Sequence, residues 1–245
     1  MVDLSGQVAI VTGSSSGIGE AVARQISELG MHVVVNSARS IEAGTAVAES
    51  LATRSVYVQG DISDKTQGQT LVDTALNEFG RLDLLVNNAG WTTVVPHSDL
   101  EGLTDEILIQ TFEVNVYGTW WLTKAAMPPL SESPNGNVVM VTSIAGLRPL
   151  GSSLAYAMSK AALNHLAVLL AKACGPVRVN AVAPGLIATP WTEGWDEMHE
   201  FVSQTAPMAR SGTPDDVAHA VVMLATNAYT TGEILVVDGG LTQVL

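Results

Sequence analysis

The chain has 245 residues, a length that suits one large α/β domain or two small ones. Its net charge of −13 argues against nucleic acid as a partner, because phosphates require a positive surface, and we attribute the acidity to solubility. The single cysteine, Cys174, rules out an internal disulfide, and the five histidines are scattered, so we predict no metal site.

Short apolar runs alternate with amphipathic segments along the whole chain. The predicted strands are Val8–Thr12, Met31–Asn36, Val56–Gln59, Leu82–Asn87, Val138–Ser143, Val177–Val182 and Ile234–Val237. The predicted helices are Gly17–Leu29, Ile41–Thr53, Lys65–Phe79, Asp105–Leu130, Tyr156–Ala173 and one that begins with Thr213 as its N-cap.

The predicted strands are unbroken runs of Val, Ile and Leu, as parallel strands buried on both faces require. Strand–helix alternation implies right-handed crossovers between them. We therefore predict an α/β fold: a doubly wound, Rossmann-type, parallel seven-stranded sheet with helices on both faces, in a single domain over residues 1–245. In such sheets ligands bind beyond the carboxyl ends of the strands.

The first strand runs into a glycine-rich turn that is followed by a helix. Gly13 permits the tight turn, Gly17 lets the backbone approach a pyrophosphate, and Gly19 lets the helix pack close to the strand. The helix N-terminus then offers free N–H groups to an anion. Glu20 stands where a kinase-type phosphate loop has lysine, so ATP hydrolysis is a poor interpretation. We predict that a dinucleotide contacts Gly13, Ser15, Ser16, Gly17, Ile18 and Gly19.

The end of the second strand bears on the choice between NAD and NADP. Dinucleotide sites often place an acid about 20 residues after the glycines, for the ribose hydroxyls. Here Ser37 and Arg39 follow the strand, and the first acid is Glu42. Because an acid would repel a 2′-phosphate and Arg39 would bind one, we expect NADP, with NAD as the alternative. Arg39 as an ordinary solvated residue is the competing interpretation.

Two further strand ends carry small or polar residues that suit close approach to a nucleotide. The third strand is followed by Asp61 and Ile62, and the fourth by Asn88, Ala89 and Gly90. We predict that these residues contact the adenine and the ribose. A plain turn would also explain the asparagines if they stood alone.

A possible catalytic group lies on the predicted helix Tyr156–Ala173 and the strand before it. Tyr156 and Lys160 are four residues apart, so they share one face of the helix. Ser143 ends the preceding strand and can point at the same space. An exposed, stacked Tyr–Lys pair is the competing interpretation.

Together these residues resemble the short-chain dehydrogenase/reductase family, in particular its compact members of about this length. The resemblance covers nearly the whole chain. It rests on Thr12-Gly13-x-x-x-Gly17-Ile18-Gly19, Asn87-Asn88-Ala89-Gly90, Asn115, Ser143, Tyr156-x-x-x-Lys160, Pro184-Gly185 with Thr189, and Val237-Asp238-Gly239-Gly240. It implies an NAD(P)-dependent oxidoreductase that interconverts a ketone and a secondary alcohol by hydride transfer.

The resemblance also implies a role for each catalytic residue. Tyr156 would be the general acid in carbonyl reduction and the base in alcohol oxidation. Lys160 would hold the nicotinamide ribose and lower the pKa of Tyr156 from near 10, since a cation at about 4 Å is worth roughly 4 kcal/mol. Ser143 would hydrogen-bond the carbonyl oxygen, and Asn115 would hold a water that connects Lys160 to solvent. The carboxamide of the nicotinamide would be gripped by Pro184, Gly185, Ile187 and Thr189.

Residues 186–210 would form a lid over the substrate, and aromatic side chains dominate the expected pocket. We predict a lining of Trp191, Trp195, Met198 and Phe201 from the lid and of Trp91, Leu147 and Leu150 from other loops. Such a pocket favours an apolar or aromatic small-molecule ketone or alcohol. The competing interpretation is that the tryptophans pack on the lid's own helices or on another subunit.

Other functions stay open. The family includes reductases of 3-oxoacyl groups on acyl carrier protein, an acidic partner that needs basic docking residues. Ser131–Asn137 has none, so this function ranks second. Hydroxysteroid and sugar-alcohol dehydrogenases also remain. A non-catalytic NADP-binding sensor would be expected to lose Tyr156 or Lys160, and this chain keeps both.

The resemblance implies a homotetramer. Apolar residues lie on more than one face of Asp105–Leu130 and Tyr156–Ala173, and a second apolar stripe needs a second cover. The apolar segment Leu241–Leu245 is a further candidate contact between subunits.

The sequence shows no signal peptide and no apolar run of membrane-spanning length, so we expect a cytoplasmic enzyme without a membrane partner.

Overall fold

The computed structural model describes residues 2–245, and its seven strands form one parallel sheet in the order β3-β2-β1-β4-β5-β6-β7. The strands are β1 Val8–Val11, β2 His32–Ser37, β3 Ser55–Gln59, β4 Leu84–Asn87, β5 Asn137–Val141, β6 Arg178–Pro184 and β7 Ile234–Val237. The helices are α1 Gly17–Glu28, α2 Ile41–Ser50, α3 Lys65–Phe79, α4 Asp105–Phe112, α5 Thr119–Glu132, α6 Leu154–Ala173, α7 Asp196–Thr205 and α8 Pro214–Thr226. The predicted fold class is confirmed.

The core lies on both faces of the sheet, because successive residues of each inner strand point to opposite sides. Val8, Ile10 and Val34 pack on one face, with α3, α5 and α6. Ala9 and Val33 pack on the other face, with α1, α2 and α8. Both sets are fully buried, which is why these strands read as unbroken apolar runs.

The predicted helix Asp105–Leu130 is interrupted in the structure. A π-helical turn, Glu113–Gly118, separates α4 from α5. The turn brings Gly118 against the third strand's end, where a Cβ atom on Gly118 would lie 2.8 Å from the carbonyl oxygen of Ile62. It also carries Asn115 into the interior, fully buried. The apolar pattern of Asp105–Leu130 is continuous and does not predict the π-helical turn. The position of this turn depends on tertiary packing.

Helix α6 begins at Leu154, two residues before the predicted start, because the Ser153 hydroxyl accepts a hydrogen bond from the Tyr156 N–H at 3.2 Å. By length and composition α6 is apolar enough to cross a membrane, contrary to our sequence analysis. Its Leu163 and Ala167 are buried in the core beside β5 and β6. Packing on the sheet therefore accounts for only part of the apolar character of this helix, since Val168 and Leu169 are exposed.

The remaining differences lie in the second half of the chain. The start of α8 is as predicted, with Thr213 as N-cap and Asp216 completing a capping box. Helix α7, inside the predicted lid, was not predicted, because its apolar residues are few and most of it is exposed. Sheet order reverses between β1 and β4, and the loops after β1, β4, β5 and β6 meet at that switch point.

Candidate functional site

A cleft of about 1290 Å³ runs across the carboxyl ends of the strands. It brings together nearly all of the predicted site residues. They are Gly13, Ser15, Ser16, Gly17, Ile18, Ser37, Arg39, Asp61, Ile62, Asn88, Ala89, Gly90, Ser143, Tyr156, Lys160, Pro184, Gly185, Ile187 and Thr189. Two predicted residues do not line it: Gly19 lies behind the glycine-rich turn, and Asn115 lies behind the wall formed by Gly90 and Trp91.

The glycine-rich turn fits a pyrophosphate. Gly13 and Gly17 have φ angles of +61° and +57°, in the left-handed region that favours glycine. The N-cap of α1, Ser16, makes no side-chain hydrogen bond to the helix, so the first N–H groups of α1 stay free for an anion. A Cβ atom on Gly19 would lie 2.4 Å from the Gly13 carbonyl oxygen. Gly19 is therefore a packing residue and does not contact the cleft.

Two asparagines join the strand ends beneath this turn. Asn88 Nδ2 donates to the carbonyl oxygens of Thr12 and Gly13 at 2.9 and 3.1 Å. Asn36 Nδ2 donates to the carbonyl oxygens of Val58 and Gly60 at 3.1 and 2.9 Å. Asn36 was missed by the sequence analysis, although a polar residue near the end of an apolar strand is a usable signal. Together the two amides hold β1, β2, β3 and β4 in register around the cofactor end.

A cationic side chain, that of Arg39, lines the adenosine end of the cleft. Arg39 is exposed, and within residues 2–245 no carboxylate lies within 4.0 Å of its guanidinium. Ser37 reaches the cleft, but its hydroxyl is shared with Tyr57 Oη at 2.9 Å and with the carbonyl oxygen of Ser40 at 3.1 Å. Arg39 is thus the better placed of the two for a phosphate.

Ser143, Tyr156 and Lys160 meet in the middle of the cleft. Ser143 caps a short 3-10 turn after β5, where its hydroxyl accepts a hydrogen bond from the Ala145 N–H at 3.1 Å. Lys160 is 3% exposed, and its ammonium donates to the carbonyl oxygen of Val141 at 3.0 Å. The same ammonium lies 5.5 Å from the centre of the Tyr156 ring.

The structure corrects the expected pKa of Tyr156. Burial raises the pKa of Tyr156 to about 12, and hydrogen bonding with Ser143 opposes only part of this rise. Burial also lowers the pKa of Lys160 from 10.5 to about 8. The expected fall in the tyrosine pKa assumed a cation about 4 Å from the phenol, with desolvation cancelling only part of its effect. Burial is the larger of the two effects on the Tyr156 pKa, so the phenol stays protonated at neutral pH.

Asn115 holds the catalytic wall together through its side chain. Its Oδ1 accepts from the Trp91 N–H at 2.7 Å, and its Nδ2 donates to the carbonyl oxygen of Trp91 and to Ser159 Oγ, both at 3.0 Å. The Ser159 hydroxyl donates in turn to the carbonyl oxygen of Tyr156 at 2.7 Å. The amide of Asn115 is therefore committed to positioning Gly90–Trp91 against α6.

Apolar side chains line the other end of the cleft. Six of the seven predicted residues reach it: Trp91, Leu150, Trp191, Trp195, Met198 and Phe201. Leu147 does not, because it follows the 3-10 turn and lies outside the lining. His97, Leu241 and Leu245 also line this end, and the sequence analysis did not find them as lining residues. They come from segments that carry no local signature and that only the folded chain brings together.

The fold and this cleft define a class, the nicotinamide-dependent oxidoreductases with a tyrosine–lysine pair on one helix, and comparison with known proteins agrees. A family model described as Enoyl-(Acyl carrier protein) reductase matches residues 13–242. The chain is 53% identical over 237 residues to a protein assigned as ketoacyl reductase 2 of the granaticin polyketide synthase of Streptomyces violaceoruber, covering 95% of each chain. It is 38% identical to a 3-oxoacyl-[acyl-carrier-protein] reductase of Synechocystis, covering 99% of this chain and 100% of the other.

A solved structure agrees as well. A short-chain type dehydrogenase/reductase from Mycobacterium marinum superimposes with a TM-score of 0.91 at 30% identity, covering 98% of this chain and 97% of the other. The chain belongs to the short-chain dehydrogenase/reductase family. It is an NAD(P)-dependent oxidoreductase that acts on CH–OH and C=O groups.

Proposed function

We propose that this enzyme is an NADP(H)-preferring reductase of a ketone on an apolar or aromatic molecule of the polyketide type. The observation that carries the proposal is one cleft in which Ser143, Tyr156 and Lys160 lie between the arginine-bearing end and a tryptophan-rich end. The relative at 53% identity is named for ketoacyl reduction in a polyketide synthase. That name supports a polyketide ketone over a steroid or a sugar alcohol.

In this proposal the side chains of the cleft transfer the proton to the carbonyl oxygen and stabilise the negative charge that develops during reduction. NADPH, when bound, supplies the hydride. The Tyr156 hydroxyl donates its proton to the carbonyl oxygen, and its raised pKa keeps it protonated until then. The Ser143 hydroxyl donates a hydrogen bond to the same oxygen as negative charge develops there. Lys160, anchored on the Val141 carbonyl, stabilises the phenolate that the transfer leaves behind.

The preference for NADP rests on Arg39. Its guanidinium is exposed at the cofactor end and unpaired among the residues that the structure describes. No acid follows β2 before Glu42, so nothing at that strand end repels a 2′-phosphate. NAD remains the alternative cofactor.

The second candidate is reduction of the same kind of ketone while it is attached to acyl carrier protein. The relative from Synechocystis, a 3-oxoacyl-[acyl-carrier-protein] reductase, favours this candidate. The surface charge opposes it, because Ser131–Asn137 offers no cation and the chain carries a net charge of −13. We therefore keep the free ketone first.

A substrate panel tests both candidates. Purified enzyme is given aryl ketones, a sugar, a steroid ketone, and one β-ketoacyl group both as a small thioester and on acyl carrier protein, with NADPH and with NADH. We expect the aryl ketones and the small thioester to be reduced, with kcat/KM at least about tenfold higher for NADPH. Reduction of the carrier-bound form alone would favour the second candidate, and preference for the sugar or the steroid would contradict the first.

A further inference from the structure

A second hollow, of about 400 Å³, lies beside the reaction cleft. Its walls are two segments distant in sequence, Gly90–Val94 and the lid residues Trp191 and Trp195. Three of the five tryptophans of the chain, Trp91, Trp191 and Trp195, therefore face one small space. We name this space the tryptophan hollow. Its volume is within the range of sites that hold small molecules.

The tryptophan hollow adjoins the catalytic group. A methyl group placed on Gly90 would lie 3.4 Å from Trp191 Cη2 on one side and 3.6 Å from Lys160 Nζ on the other. All of its walls except Thr93 also line the reaction cleft. A molecule whose carbonyl is held at Ser143 and Tyr156 can therefore extend into the hollow without leaving the cleft.

The indole rings of the hollow have no aromatic partner of their own. Trp191 is 45% exposed, and Trp91 and Trp195 are half-buried. Trp121, outside the cleft, lies near Tyr117 at a centroid distance of 6.0 Å with the two rings tilted by 31°, but none of the three hollow tryptophans pairs with a ring in residues 2–245. Their ring faces are thus free to take a ring from a ligand.

Hydrogen bonds hold the chain segments that carry the tryptophans of the hollow. Both backbone polar groups of Trp91 are bonded to Asn115. Thr92 Oγ1 and Ser152 Oγ share a hydrogen bond of 2.6 Å, and Thr192 Oγ1 donates to the carbonyl oxygen of Ile187 at 2.7 Å. When a rigid ring enters, these segments therefore need little further ordering, and the loss of conformational freedom is mainly that of the indole side chains.

The side chains that line the hollow determine which class of ligand it can bind. The hollow is lined by glycine, threonine, valine and tryptophan, with no charged side chain among them. A cation would find indole faces but no carboxylate in the lining, and an anion would find no positive group. An uncharged, planar aromatic ring fits these walls best.

We propose that the tryptophan hollow binds a second, aromatic ring of the substrate, so that the preferred ketones are planar molecules of two or more rings. This inference rests on the proposed function, because it assumes that the ketone lies at Ser143 and Tyr156. It makes Trp91 and Trp195 residues that determine specificity and leaves the chemistry of reduction unchanged.

The test measures binding and does not depend on turnover. Calorimetry on the NADPH-loaded enzyme, in which a secondary alcohol has no oxidant, compares 1-naphthol with decahydro-1-naphthol, which has the same skeleton but is saturated and not planar. We expect 1-naphthol to bind at least about tenfold more tightly, because ring pairs add affinity beyond the area that they bury. Trp91→Leu and Trp195→Leu should reduce this preference to about threefold or less.

Three further measurements keep the result clear. Trp195→Phe retains a ring and should keep most of the preference, and Tyr229→Leu removes a fully exposed ring elsewhere and should keep all of it. Thermal unfolding of the leucine variants should occur within a few degrees of the unaltered enzyme, which shows that they are folded. Equal binding of the two alcohols, or a preference that both leucine variants keep, would overturn the inference. Failure of the enzyme to reduce any ketone would contradict the proposed function and leave the binding comparison intact.

Discussion

Burial changes the acidity of the two central side chains in opposite directions. The pKa of Tyr156 rises to about 12 and that of Lys160 falls to about 8, each because the interior disfavours the charged form. A phenol with a raised pKa is a poor base but remains an effective proton donor to a developing alkoxide. At neutral pH the phenol therefore carries the proton that reduction of a ketone requires.

The pH dependence of the two directions should differ. Reduction needs the Tyr156 proton and the Lys160 cation, so its rate should be level near neutral pH and fall as pH rises through about 8, where Lys160 loses its proton. Oxidation of the alcohol needs the Tyr156–Lys160 pair with one proton removed. The rate of oxidation should therefore rise with pH to about 8 and then level off. Initial rates in both directions across a pH series check this. A reduction rate that increases through pH 8 would contradict it.

Tyr156→Phe tests the proton donor directly. The ring is kept and the transferable proton is lost, so ketone reduction should fall by about a hundredfold or more while NADPH affinity changes little. Steady-state kinetics and a cofactor titration measure the two effects. Activity within a few-fold of the unaltered enzyme would remove Tyr156 from the catalytic group.

Arg39→Ala tests the choice of cofactor. A charge-assisted contact with a phosphate is worth about 1.5–3 kcal/mol, so NADPH affinity should drop roughly ten- to hundredfold while NADH affinity is nearly unchanged. Arg148→Ala is a matched control, because Arg148 is also exposed but lies outside the cleft lining. Equal losses for both cofactors would show that Arg39 does not contact the phosphate.

At the scale of elements, close packing of α1 on the glycine-rich turn shapes the cofactor end. A Cβ atom on Gly19 would lie 2.4 Å from the Gly13 carbonyl oxygen and 2.6 Å from Asn88 Nδ2. Gly68, in α3, is also a buried helical glycine, but a Cβ atom there would meet only Leu122 Cβ at 3.9 Å. Gly19 and Gly68 are therefore matched sites for the same substitution, glycine to alanine, one in a crowded place and one in an open place.

Alanine at these glycines should have opposite effects. Gly19→Ala forces α1 away from the turn, so we expect a loss of about 1–3 kcal/mol in the free energy of unfolding and weaker NADPH binding. Gly68→Ala should stabilise the protein by about 0.5–1 kcal/mol, because alanine has a higher helix propensity than glycine. Chemical denaturation and cofactor titration measure both. A Gly19→Ala enzyme with unaltered stability and affinity would disprove the packing argument.

At the scale of the whole molecule, part of the predicted second apolar stripe exists. Trp120 on α5 and Val168 and Leu169 on α6 are 40%, 41% and 52% exposed. Leu163 and Leu170, on the other face of α6, are buried in the core. Of the C-terminal segment, Leu241 is buried and Leu245 lines the cleft of its own chain. The exposed face of α5 and α6 is thus the better candidate for a contact between subunits.

We expect a homotetramer, because these exposed apolar side chains need a cover and pairing of α5 and α6 across a two-fold axis would supply it. Light scattering on the purified protein measures the mass. Leu169→Glu should shift the population to a smaller species, whereas Leu29→Glu should not, because Leu29 is an apolar residue of similar exposure (44% against 52%) on the opposite face of the sheet. A monomer at micromolar concentration would contradict the expectation.

Local patterns in the sequence determined the fold class and most of the site. Apolar runs specify buried parallel strands, a glycine-rich turn after β1 specifies an anion site, and Tyr156 and Lys160 share a helix face by spacing alone. These features depend only on neighbouring residues, so the sequence predicts them, and the structure gathers them in one cleft.

Only the tertiary structure decided the features that depend on distant segments. The pKa directions of Tyr156 and Lys160 follow from burial, which no local pattern measures. The π-helical turn at Asn115, the exclusion of Leu147 from the cleft and the joining of Gly90–Val94 with Trp191 and Trp195 all require the packed chain. Desolvation and side-chain packing are properties of the surroundings in space, and the order of residues along the chain does not contain them directly.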